Sequence, residues 1–234
     1  MLCNIAELLT EVPAAGGMAA RCRDYLAEPG GGAQIVIREE LYNAASWPGL
    51  DPALLAYMES GSQFYWNLLR FDGLMLHASA VALEGRAYLF SGPCGRGKST
   101  QSALWQRVFG AKAVVFNDDK PALRRLDGRW YAYGTPWCGK DGVNRNQKWP
   151  LGGVCFLEKA DGNAIRRLSA AEALPLVLAQ TPHCLGPQHM DALLRSLDAL
   201  LRSVPMFLLK NRADGDAAIL GCGEMRRAAE ENGL

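Results

Sequence analysis

The stretch Ser91-Gly92-Pro93-Cys94-Gly95-Arg96-Gly97-Lys98-Ser99-Thr100 constrains this chain more than any other part of it. It reads Gly-x-x-x-x-Gly-Lys-Ser, the pattern of a loop that wraps phosphate. Gly92, Gly95 and Gly97 give the backbone freedom to bend, so that successive N–H groups turn inward toward phosphate oxygens. Pro93, Cys94 and Arg96 complete the loop and Thr100 follows it. Lys98 reaches the outer phosphates as a point charge, and Ser99 offers a hydroxyl to Mg²⁺. A helix starting here adds its positive end. The flanks agree with this reading. Residues 86–91 begin with an apolar run suited to a strand, and residues 101–109 suit a helix, with Leu104, Trp105 and Val108 at helical spacing. A glycine-rich turn that merely precedes Lys-Ser would not require that strand and helix.

The segments on either side predict an unusual sheet. Residues 74–83 form an apolar, strand-like run, and Glu84-Gly85 joins it to the strand before the loop, which is a hairpin signal. In the common folds with such a loop, its strand lies among parallel neighbours; here it pairs antiparallel with the strand before it. That pairing carries His77 toward the loop, either as a packed residue or as one beside the phosphates. After the helix, Ala113-Val114-Val115-Phe116 reads as a strand that delivers Asn117-Asp118-Asp119. Of two carboxylates there, one can hold a metal and the other can accept the proton of an attacking hydroxyl. Neighbouring strand residues point to opposite faces, so both reach one site only if the strand has ended. Residues 120–134 predict a second hairpin about Asp127-Gly128. Residues 134–146 are rich in Gly and polar donors, and make either an ordinary exposed loop or a functional one. Lys140, Asn144, Arg145 and Asn146 are its candidates for contact with phosphate or acceptor.

Residues 1–70 read as a small N-terminal lobe ahead of a domain over 71–234. Short helices are expected over 2–9 and 18–27, a break at Pro29-Gly30-Gly31-Gly32 and a strand over 34–38. A helix capped by Asp51-Pro52 should bury Leu54, Leu55 and Met58, followed by a second helix with Phe64, Tyr65, Leu68 and Leu69 inside. Toward the C-terminus come a strand over 151–157, and a helix opened by the Ser169 and Glu172 capping box and kinked at Pro175. A helix over 188–204 follows, striped by Met190, Leu193, Leu194, Leu197, Leu200, Leu201 and Val204; then a strand over 206–209 and a helix over 214–231. Apolar residues make up 49% and charged residues 21%, enough to bury a core. A net charge of +1 argues for neither nucleic acid nor an acidic membrane surface, and no apolar run spans a bilayer. Residues 1–20 lack a basic start with an apolar core, so no signal peptide is expected. Seven scattered Cys without a Cys-x-x-Cys pair suit a reduced, cytoplasmic protein. His183-Cys184 with His189 is a thin metal set. Glu158-Lys159-Ala160-Asp161 lacks the Asn of the guanine-reading motif, and Leu-Ser-Gly-Gly-Gln is absent, which argues against a GTPase and a transport ATPase.

The order of these features resembles the catalytic domain of HPr kinase/phosphorylase, among the P-loop kinases related to phosphoenolpyruvate carboxykinase. The likeness covers about residues 74–160: Leu76-His77-Ala78, the Glu84-Gly85 hairpin, the loop at 92–100 and the pair Asp118-Asp119. The wording His77-Ala78-Ser79-Ala80-Val81, Asn117-Asp118-Asp119 and Gly134-Thr135-Pro136-Trp137 is more similar to the short HPr-kinase-like proteins of peptide-modification gene clusters. Some of those phosphorylate a serine of a ribosomally made precursor peptide. The resemblance implies an α/β P-loop kinase core with a mixed, hairpin-rich sheet and oligomeric relatives. It implies phosphate held by Lys98 and the 92–97 backbone, Mg²⁺ held by Ser99 and Asp119, and Asp118 as general base with His77 beside it. Residues 1–70 do not resemble that enzyme's regulatory domain, and Gly134-Thr135-Pro136-Trp137-Cys138-Gly139 replaces its glycine-rich acidic signature. HPr as substrate and the reverse reaction are therefore not carried over.

The sequence thus leads to an ATP- and Mg²⁺-dependent kinase that acts on a serine of a peptide or small protein. A kinase of a small-molecule alcohol and a nucleotide-binding module that signals without catalysis are the alternatives. Neither nucleic acid nor membrane is an expected partner; a homo-oligomer is possible.

Overall fold

The computed structural model describes residues 1–28, 30–182 and 186–233, so Pro29, His183 and Cys184 lie outside the described residues. Leu2–Ile5 (β1) and Leu8–Glu11 (β2) form an antiparallel hairpin where a helix was expected. Its turn residues Ala6 and Glu7 both have positive φ, 53° and 61°. That is a turn Asn and Gly normally make, so Ala-Glu carries no turn signal. Distant residues hold it instead: Arg124 Nη1 donates to Ala6 O at 2.6 Å, Tyr133 OH donates to Glu7 Oε2 at 2.8 Å, and Lys148 Nζ pairs with Glu7 at 2.8 Å.

Only one helical turn, Met18–Arg21 (α1), and a 3₁₀ turn at Arg23–Tyr25 stand where a helix over 18–27 was expected. Ile35–Val36 (β3) lies parallel to β2 and completes a three-stranded sheet. Pro52–Leu68 (α2) is one helix rather than two; the Asp51 carboxylate caps it by accepting from Ala53 N and Leu54 N at 2.9 and 3.1 Å. Its buried side is Ala56, Ser60, Phe64 and Leu68, and Leu54, expected inside, is 44% exposed.

The main sheet is mixed α/β. Its strands and helices are Gly73–Met75 (β4), Ala78–Leu83 (β5), Arg86–Ser91 (β6), Lys98–Phe109 (α3), Ala113–Asp119 (β7), Ala122–Leu126 (β8), Arg129–Tyr133 (β9), Lys148–Lys159 (β10), Ala164–Leu168 (β11), Ala170–Ala179 (α4), Pro187–Ser203 (α5), Met206–Asn211 (β12) and Gly215–Glu231 (α6). The nine strands run β4-β8-β9-β10-β6-β5-β7, with β12 beside β10 and β11 beside β12. The run expected as one strand over 74–83 breaks at Leu76-His77: its first part pairs with β8 and its second with β6. β6 is antiparallel to β5 on one side and parallel to β10 on the other. The turns at Glu84-Gly85 and Asp127-Gly128 have both φ values positive, as their sequences predict.

Leu193, Leu197 and Leu200 of α5 pack with Leu89, Leu123 and Val154, while Leu194 stays 48% exposed. Trp105 of α3 fills the opposite face against Tyr88 and Phe90. The N-terminal residues share a third cluster, of Ile5, Leu8, Met18, Tyr25 and Ile35 with Phe64, Met75, Ala122, Tyr133 and Trp137. Residues 1–70 therefore pack directly on the main sheet. Among the described residues no helix is long and apolar enough to cross a membrane.

Candidate functional site

β6 ends at Ser91 and α3 begins at Lys98. Between them Gly92, Gly95 and Gly97 have φ of 141°, 76° and 93°, values closed to most side chains. The end of β6 is tied to the chain ahead of β5, since Ser91 Oγ donates to His77 O at 2.9 Å. Lys98 Nζ donates to Gly92 O at 2.9 Å and Pro93 O at 3.3 Å. Burial lowers the Lys98 pKa, and the nearby Asp119 and Asp118 carboxylates offset only part of that. A cleft of about 540 Å³ opens here, gathering Lys98, Ser99 and Thr100, His77, the pair Asp118 and Asp119, and Gly139 to Asp141. Cys94 and Gly95 line it too, whereas the Pro93 and Arg96 side chains do not.

Strand alternation would send Asp118 and Asp119 to opposite faces. The backbone resolves this, because Asp119 has φ of 111°. Both carboxylates consequently face the one cleft. A non-glycine residue in that region is strained by roughly 1–3 kcal/mol and persists only where its surroundings hold it. Here Asp118 N donates to Val143 O at 3.1 Å, and Cys138 pairs with Asp119. Asn117 is fully buried; its Nδ2 donates to Thr135 O and its Oδ1 accepts from Lys120 N, both at 3.0 Å.

The two acids have different partners. Ser99 Oγ donates to Asp118 Oδ2 and Oδ1 at 2.9 and 3.1 Å. His77 Nε2 lies 2.9 Å from Asp119 Oδ1, and Lys120 Nζ lies 3.4 Å from Asp119 Oδ2. His77 thus stands beside Asp119, which corrects the expectation that it adjoins Asp118. Burial pushes the Asp119 carboxyl up, but the His77 hydrogen bond and the Lys120 charge outweigh it and hold the pKa below the ordinary value. Lys120 is itself fixed by Tyr57, donating to its hydroxyl at 2.9 Å and lying 4.4 Å over its ring. The Ser99 hydroxyl and Asp118 carboxylate form a close pair of hard oxygen donors, the kind Mg²⁺ takes together with phosphate oxygens and water. The donor set therefore fits that ion.

The 134–146 segment is not an exposed loop throughout. Trp137 is fully buried, stacked on Phe64 at 4.8 Å, and its Nε1 donates to Ser60 Oγ at 3.0 Å. Gly61 makes room, since a Cβ there would lie 2.9 Å from the indole. This packing carries Gly139 and Lys140 to the cleft. Asn144 and Asn146 go elsewhere: their amides donate to Arg21 O at 3.2 Å and Asp24 O at 3.0 Å, which ties the segment to the N-terminal residues. Of the four candidates Lys140 lines the cleft, and Asn144, Arg145 and Asn146 do not.

A second cavity of about 500 Å³ lies beyond Asp119, and Asp119, Gly139 and Lys140 line both spaces. Its other walls come from Gly16, Gly17, Arg21 and the Ala53, Leu54 and Tyr57 face of α2. Sequence reading missed Asn117, Lys120, Tyr57 and Arg21. Asn117 and Lys120 flank the acid pair and were within reach. Tyr57 and Arg21 meet it only through tertiary packing.

No protein-family model and no curated protein matches this chain. Among solved structures it is similar to the Hpr(Ser) kinase/phosphatase from Coxiella burnetii, at 14% identity, covering 67% of this chain and 98% of that one, with a TM-score of 0.39.

Proposed function

We propose that the protein is an Mg²⁺- and ATP-dependent kinase that transfers the γ-phosphoryl group to an acceptor hydroxyl, a serine of a peptide or small protein. One observation carries the reading. Asp119, paired with His77, lies between the phosphate-loop cleft and the second cavity, while Asp118 is paired with the loop residue Ser99. Two substrates entering from opposite sides would meet at Asp119.

Bound Mg-ATP would supply the phosphoryl group and neutralise the charge spread over its outer oxygens. The backbone N–H groups of residues 92 and 94–97 would hold the phosphates, Pro93 having none to donate. Lys98, which donates to the Gly92 and Pro93 carbonyls, would turn to a phosphate oxygen. Ser99 and Asp118 would hold the cation. Asp119 accepts the proton from the acceptor hydroxyl, and His77 and Lys120 orient its carboxylate. A carboxylate of depressed pKa is a weak base, which suffices where bond formation to the nucleophile lags behind loss of the leaving group. These roles exchange those that the family resemblance implied for the two acids.

The test incubates the purified protein with γ-labelled ATP, Mg²⁺ and a lysate divided into polypeptide and small-metabolite fractions. Label in a polypeptide supports the proposal, and label in a metabolite moves the acceptor to a small alcohol. Inorganic phosphate alone, or unreacted ATP, favours a nucleotide-binding module. Lys98→Ala is expected to lower transfer by at least about 10²-fold, because it removes a charge aimed at the transferring group. Full activity in that variant would refute the loop assignment.

A further inference from the structure

The cavity beyond Asp119 has a charge pattern that its apolar walls do not require. Gly16, Gly17, Ala53 and Leu54 form one side. Gly16 packs so close to α2 that a Cβ would lie 2.4 Å from Ala56 Cβ, so the N-terminal segment forms a fixed rim. Arg21 and Lys140 add two cations. Asp119 is the acid in the lining, and it is engaged by His77 and Lys120. Among the described residues no carboxylate pairs with Arg21 or Lys140. The Arg21 guanidinium carbon lies over the Tyr57 ring, 4.6 Å from its centroid, and Nη1 donates to Cys138 Sγ at 3.4 Å. Burial pushes the Cys138 thiol up despite Arg21, so that contact supplies no negative charge. A half-buried guanidinium, oriented by an aromatic ring and left without an acid, is suited to bind a carboxylate from outside.

We propose, resting on the kinase reading, that this cavity binds the acceptor as a short peptide segment with a carboxylate side chain beside the reacting serine. Arg21 reads that carboxylate, and Leu54 and the Gly16-Gly17 rim cover the segment's apolar side. The N-terminal lobe then supplies half of the acceptor site and selects the acceptor. A free hydroxy acid shares the same chemistry, so the experiment includes it.

The full chain, with Mg²⁺ and ATP analogue bound, is titrated with acetyl-Gly-Ser-Asp-Gly-amide and with its Asn twin, and with 3-hydroxybutyrate and its amide. Binding is followed by the NMR shifts of Gly16, Gly17 and Leu54. The Asp peptide is expected to bind about tenfold tighter than the Asn peptide, the range of a charge-assisted contact. Arg21→Gln is expected to erase that ratio and Arg21→Lys to keep part of it, with Mg-ATP affinity unchanged as the check on folding. Equal affinity of the peptide twins, or a preference that survives Arg21→Gln, would overturn the proposal. Preference confined to the hydroxybutyrate pair would overturn the peptide and leave a small hydroxy acid. With Mg-ATP in place of the analogue, carboxylate-selective binding without phosphorylation of either the serine or the hydroxybutyrate would leave this site standing and end the kinase reading. Phosphorylation of both peptides at equal rates would do the reverse.

Discussion

Replacing Asp119 by Asn is expected to slow phosphoryl transfer by about 10²–10⁴-fold, the usual contribution of a positioned general base, with Mg-ATP affinity almost unchanged. The amide keeps the shape of the carboxylate but cannot take the acceptor's proton. Asp118→Asn is expected to act on a different quantity. It should raise the Mg²⁺ concentration needed for nucleotide binding, because its carboxylate is the one against the Ser99 hydroxyl. Single-turnover rates and Mg²⁺ titrations on the two variants separate the roles, and the reverse pattern would return the base to Asp118. The depressed Asp119 pKa sets the pH dependence. The carboxylate stays ionised as pH falls through the ordinary aspartate range, so the acid limb of the rate is expected below that range. The linked stability is full above the ordinary carboxylate value and fades as pH falls through the lower folded one. His77→Ala removes a hydrogen bond that holds the pKa down, and burial then moves the limb upward. An unmoved limb would mean that the profile does not report Asp119.

Gly134→Ala is expected to destabilise the protein by about 3 kcal/mol or more, at the upper end of overpacking effects. A Cβ at Gly134 would lie 1.8 Å from Arg145 O and 3.0 Å from Phe116 O. Both atoms are backbone, so no side-chain rotation relieves the overlap. Arg145 N also donates to Phe116 O at 2.8 Å, so moving the 145 segment away from β7 breaks that bond. At this chain length such a loss lowers Tm by about 6–12 °C, readable by calorimetry. The same shift would displace the Gly139 and Lys140 edge of the cleft, so residual folded protein should also bind acceptor poorly. A Tm within about 2 °C of the wild type would show that the close approach is not maintained in solution.

Much of the loop side of the cleft was legible in the residues. The glycine spacing at 92–97, the Lys98-Ser99 pair, the apolar run before them and the Glu84-Gly85 turn are local signals. Each acts within a few residues, and the turn glycines have the positive φ that their positions require. The acid pair was legible as chemistry but not as geometry. Two adjacent carboxylates look equivalent until the φ of 111° at Asp119 turns one toward His77 and leaves the other against Ser99. α2 was misread on one face because its buried side includes Ser60 and Gly61, which apolar periodicity does not count; they are there to receive Trp137.

What the sequence determined by itself is therefore the strand, loop and helix about Lys98, the antiparallel partner that brings His77 near, and the acids that face them. Backbone stereochemistry and short-range hydrogen bonding suffice for these. The tertiary structure alone decided the N-terminal hairpin, where Ala6 and Glu7 hold positive φ only because Arg124, Tyr133 and Lys148 bond to them from the main sheet. It alone also brought Arg21 and Tyr57 to Asp119 through Trp137 and its pocket on α2. Those contacts join residues from 63 to 141 positions apart, and their energy exists only once the core between them has formed.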